Sequence, residues 1–138
     1  MSHAQPALNP LVKTGAVMFF LWGLLHLFAG YLAAAPFFTQ GVGHNLAVLG
    51  LEIADGPIDD VTRAASHLAL NFGIDLAGYG VLACWFAWLL WQGRHVRLSF
   101  WVLTVMLGIA DAAFIYALML PGYSPLLEGV AGPVLYVL

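Results

Sequence analysis

Residues 64–91 read AASHLALNFGIDLAGYGVLACWFAWLLW, and this run decides the fold. It holds one carboxylate, Asp75, and no Lys or Arg. A membrane-crossing helix needs roughly 20 mainly apolar residues, so the run predicts a transmembrane helix over Ala64–Trp91. Its polar exceptions, His67, Asn71 and Asp75, are spaced at i, i+4 and i+8. At about 100° per residue they fall within an arc of about 80°, a single stripe on one side of the helix.

The flanking sequence repeats the pattern. An apolar run from about Leu11 to Phe38 predicts a span at Val12–Ala35, and another predicts one at Leu98–Leu120. The turn Gln92-Gly93-Arg94-His95 is short enough to make the second and third spans antiparallel neighbours. After Pro121-Gly122, the stretch Tyr123–Leu138 is expected to form a short fourth span. Between the first two spans, Gly41-Val42-Gly43 and Gly56-Pro57 bracket His44–Asp55, read as a short interfacial helix or lid. Asp59 or Asp60 should cap the second span, because a carboxylate accepts from the free N–H groups of a helix start. The fold class expected is therefore all-α: an integral membrane bundle of four transmembrane helices, the fourth short, forming a single domain over residues 1–138. A minority reading takes Ala33-Ala34-Ala35 as the end of a signal peptide.

The whole chain agrees. Of 138 residues, 62% are hydrophobic and 8% charged, with a formal net charge of -3. A soluble domain carries about a quarter of its residues as charges, so a water-soluble enzyme is excluded. Disorder and nucleic-acid binding are excluded too, since the first needs low hydrophobicity and the second a basic footprint. The single cysteine, Cys84, forbids an intrachain disulfide and any multi-cysteine metal site. Lys13, Arg94 and Arg97 fall on one side of the expected topology, and Arg63 falls on the other with Glu52, Asp55, Asp59 and Asp60. By the bias of basic residues toward the cytoplasm, both termini are expected there, with the chain in a plasma (inner) membrane. Trp85, Trp88, Trp91 and Trp101 gather near the same side, as interfacial anchors do.

Polar groups inside the spans are the functional candidates, because a carboxylate at mid-bilayer costs about 2.5–3.5 kcal/mol on insertion scales. Counting from the outer ends puts His26, Asp75 and Asp111 at one level, roughly 13–17 Å deep. Asn71, His67 and Glu128 lie progressively nearer the outer surface. The expected site is thus an outward-facing pocket with His26, His67, Asp75 and Asp111 as ligands of a divalent metal ion, lined by Asn71 and Glu128. With no Lys or Arg inside the spans, the carboxylates there must meet a proton, an imidazolium or a bound cation. Gly23, Gly30, the Gly73/Ala77 pair and the Gly108/Ala112 pair would let the helices approach closely.

Several chemistries fail on spacing. There is no H-E-x-x-H, no E-x-x-H and no G-x-S-x-G, which argues against a membrane zincin, a di-iron bundle and a serine nucleophile. Haem b between His26 and His67, with Arg63 near a propionate, is a further cofactor reading, weakened by a depth difference of about 9 Å. The function expected is a small membrane protein that binds a metal ion or small polar ligand. The alternative is a non-catalytic accessory subunit of a larger membrane complex, whose partners would be other membrane subunits or further copies of the chain. A proton or cation relay through Asp75 and Asp111, and an intramembrane enzyme, are weaker readings.

Overall fold

The computed structural model describes residues 9–49, 51, 57–122 and 130–138, and is all-helical over that range. Helix α1 is Pro10–Gln40, α2 is Asp60–Trp91, α3 is Val96–Met119 and α4 is Ala131–Val137. A 3₁₀ helix, His44–Leu49, follows α1. The first three helices, of 31, 32 and 24 residues, are long and apolar enough to cross a membrane.

The start of α1 and both ends of α2 have local causes. The Asn9 side chain accepts from the Leu11 N–H at 3.0 Å and Pro10 takes the first helical position, where its missing donor costs nothing. Helix α1 runs five residues beyond the expected end, through Pro36 to Gln40, with the Thr39 hydroxyl donating to the Ala35 carbonyl at 2.9 Å. Asp59 is the cap of α2, accepting from the Thr62 N–H at 2.7 Å. At its far end the N–H groups of Gly93 and Arg94 return to the carbonyls of Leu90 and Leu89. This is a Schellman closure, with Gly93 at φ 70° supplying the left-handed residue.

Helices α1 and α2 form an antiparallel pair held by small residues. A Cβ on Gly30 would lie 2.6 Å from the Gly73 carbonyl oxygen, and one on Gly80 would lie 2.7 Å from the Gly23 carbonyl oxygen. Only glycine permits so close an approach, and such contacts replace the hydrophobic drive that helices lack in lipid. At the end where α1 starts and α2 finishes, the Lys13 ammonium sits 5.4 Å from the Trp91 ring centre. The core of Ala16, Trp22, Ala83, Leu90, Leu103 and Leu107 lies in that half of the bundle.

Two features differ from the sequence expectation. Of the Tyr123–Leu138 stretch, the described helix is Ala131–Val137, seven residues and about 10 Å. Among the described residues, three helices are long enough to cross a membrane. Helix α4 packs against α1 and α3. Gly132 lies at the level of Asp111, and the Tyr136 hydroxyl donates to the Thr104 carbonyl at 2.6 Å, so α4 runs antiparallel to α3. The second difference is that α3 is interrupted by two π-helical turns, Leu103–Leu107 and Ile115–Met119, on either side of Asp111.

Candidate functional site

Trp22, His26, Asp111 and Gly132 meet where α1, α3 and α4 converge. Trp22 is 0% exposed and Asp111 5% exposed. The Trp22 indole N–H donates to Asp111 Oδ2 at 3.0 Å. One turn along α1, His26 stacks on the Trp22 indole with ring centroids 3.4 Å apart and planes 17° from parallel. Its Nδ1 is 2.9 Å from the Trp22 backbone carbonyl. A carbonyl only accepts, so Nδ1 carries the hydrogen and neutral His26 leaves Nε2 as a bare acceptor. That Nε2 faces Asp111 Oδ1 at 3.9 Å. Gly132 closes the remaining side: a Cβ there would meet His26 Cε1 at 3.2 Å and Asp111 Oδ1 at 3.4 Å.

The expected ligand set is divided by this arrangement. His26 and Asp111 come together; His67, Asn71 and Asp75 do not join them. Asp75 is exposed and takes a hydrogen bond from the Asn71 amide at 2.9 Å. Both lie about 200° around α2 from Gly73, which faces α1, so the polar stripe points away from the bundle. The physical reason is that the small residues Gly73, Ala77 and Gly80 occupy the opposite face and set which side of α2 packs. His67 is also exposed, with its ring against the edge of Phe37 at 5.0 Å between centroids. Phe37 is eleven residues beyond His26, about 16 Å along α1, which is too far for the two imidazoles to share a haem. Glu128, Glu52 and Asp55 lie outside the described residues. Among the described residues, no group of three or more His, Cys, Asp or Glu side chains could hold a metal ion.

Of the segment expected as an interfacial helix or lid, the described part is tied to α2. Asn45 and Ser66, 1% and 0% exposed, hydrogen-bond one another, with the Ser66 hydroxyl donating to Asn45 Oδ1 at 2.6 Å. Ser66 Oγ also accepts from the Gly43 N–H at 2.8 Å, and the Asn45 amide donates to the Ser66 carbonyl at 2.8 Å. This fully paired network fixes the 3₁₀ helix to the first turns of α2. Trp22 and Gly132 were the site residues that sequence reasoning did not single out. The i, i+4 relation of Trp22 to His26 was a signal for the first; Gly132 had none. Compared with family models, characterised proteins and solved structures, the chain matches none of them.

Proposed function

We propose that the chain is an integral membrane protein whose α1, α2 and α3 cross a bilayer, and which holds one small positively charged hydrogen-bond donor between His26 and Asp111. The observation that carries the reading is the facing pair of acceptors. The tautomer of His26 is fixed by the Trp22 carbonyl, so Nε2 and Asp111 Oδ1 both present lone pairs across 3.9 Å. That gap exceeds a direct hydrogen bond of about 2.7–3.2 Å and suits one bridging donor. The Trp22 indole beneath His26 adds the ring-face attraction that favours positive charge. Two side chains are few for a metal ion, so the ligand chemistry is that of an ammonium-type cation bridging the gap, the other outcome being a proton on Nε2 that draws the two groups together. Membrane crossing is supported by helix length and by the broad exposure of Leu, Phe, Val and Trp on all three helices. Lys13, Arg94 and Arg97 mark the cytoplasmic end.

The test is ¹⁵N NMR of His26 in detergent-solubilised protein, titrated separately with acid, ammonium, methylammonium and zinc. Nδ1 should stay protonated throughout while Nε2 responds to one positive species. Asp111→Asn should weaken that response at least tenfold. An Nε2 signal that ignores all four would leave the cluster a packing contact. A response to acid alone identifies the proton, and a response to ammonium at constant pH identifies the cation.

A further inference from the structure

Helix α2 presents a second polar feature that the proposed ligand site does not use. Leu68, Asn71, Asp75, Gly78, Leu82 and Trp85 are all exposed and succeed one another at intervals of three and four residues. That alternation of threes and fours follows the roughly 3.5-residue period of a seam on which one helix packs along another. Gly78 leaves a gap in it, with no atom within 4 Å of where a Cβ would stand. Asp75 lies at the centre of the 32-residue helix, and its side-chain hydrogen bond among the described residues is to Asn71. Asparagine is the residue that fixes register when it sits within such a seam.

We infer that this face of α2 docks a membrane-crossing helix of a different protein that carries a Lys or Arg side chain at the level of Asp75. The occupant follows from charge. All four basic residues of this chain, Lys13, Arg63, Arg94 and Arg97, lie at helix ends or in the turn, and none comes near the middle of α2. A second copy packed on the same face would set Asp75 against Asp75, which a low-dielectric medium penalises unless one carboxyl takes up a proton, whereas a Lys or Arg pairs with the ionised carboxylate directly. A basic side chain instead satisfies the carboxylate oxygen that has no partner among the described residues, and the gap at Gly78 admits a bulky neighbour one turn away. The inference rests on the reading that α2 crosses a bilayer and is independent of the His26–Asp111 site.

The test uses the full chain in phosphatidylcholine vesicles, fluorescently labelled at Gln92→Cys in a Cys84→Ser background. The probe is a synthetic single-span Leu/Ala helix with one central Lys, compared with the same helix carrying Leu there. Energy transfer should report association at least tenfold tighter for the Lys helix. The difference should vanish in Asp75→Leu and shrink in the isosteric Asp75→Asn. Equal association of both helices overturns the inference, as does Asp75-dependent self-association stronger than binding of the Lys helix. A parallel control separates the underlying reading: Asp75→Cys should resist a membrane-impermeant maleimide, and its rapid labelling would show that α2 does not lie in the bilayer at that point.

Discussion

Trp22 gives its indole N–H to Asp111 and its backbone carbonyl to His26, and its ring supports the imidazole from below. Trp22→Phe keeps the carbonyl and an aromatic face but removes the donor to a buried carboxylate. Leaving such an oxygen unpaired costs about 1–3 kcal/mol, so detergent-solubilised Trp22→Phe should unfold at lower denaturant by that amount. Trp22→Phe together with Asp111→Asn should recover part of the loss, and a strictly additive double variant would mean that the two residues are not coupled. The opposite sign is expected at Ser99, whose hydroxyl is buried with no hydrogen-bond partner among the described residues. Ser99→Ala removes an unpaired polar atom while leaving the backbone in place. Stability should stay level or rise by up to about 1 kcal/mol, and a clear loss in the same unfolding assay would reveal a hydrogen bond to that hydroxyl.

At the scale of elements, α1 and α2 depend on glycine rather than on apolar bulk. Gly30→Val would force the helices apart at the Gly73 carbonyl, and overpacking of this kind costs about 1–3 kcal/mol. Gly15→Val, where nothing lies within 4 Å, is the matched control and should unfold like the parent. At the start of α2, hydrogen bonds from Thr62, through its side chain first and its backbone N–H second, hold the Asp59 carboxyl below the ordinary aspartate range. A carboxyl lowered in the folded state stabilises the helix start above its unfolded pKa and ceases to do so as pH falls through the folded one. Protection of the Thr62 amide, measured against its intrinsic exchange rate, should therefore fall in acid more than protection at mid-helix sites, and Asp59→Ala should show low protection there at every pH. These elements also show what was readable. Asp59, the 92–95 turn and the three long helices follow from local chemistry, which a sequence displays directly. That His26 and Asp111 fall at one level of the bundle followed as well, because rise per residue is fixed. The azimuth of α2 did not follow. A polar stripe within an apolar span reads as inward-facing, yet the closest packing available lies on the Gly73–Ala77–Gly80 side, and a helix cannot present both faces to one neighbour.

For the molecule as a whole, the three long helices set two ends of unlike charge. Lys13 reaches over Trp91, so it shares an end with Arg94 and Arg97. Arg63, Asp59 and Asp60 occupy the other. Lys and Arg in short loops hold their side of a membrane protein in the cytoplasm, and the proposed orientation rests on the hairpin turn between α2 and α3 acting as such a loop. In a Cys84→Ser background, Val61→Cys should label with an impermeant maleimide on intact cells, whereas Gln92→Cys should label only after permeabilisation. The orientation is carried by few charges, so it should also be fragile. Changing both Arg94 and Arg97 to Gln removes half of the chain's basic residues from the end that sets the topology. A mixed population, with both cysteines partly labelled on intact cells, is the expected result. If labelling in that variant stayed as in the parent, the basic residues would not be what orients the bundle.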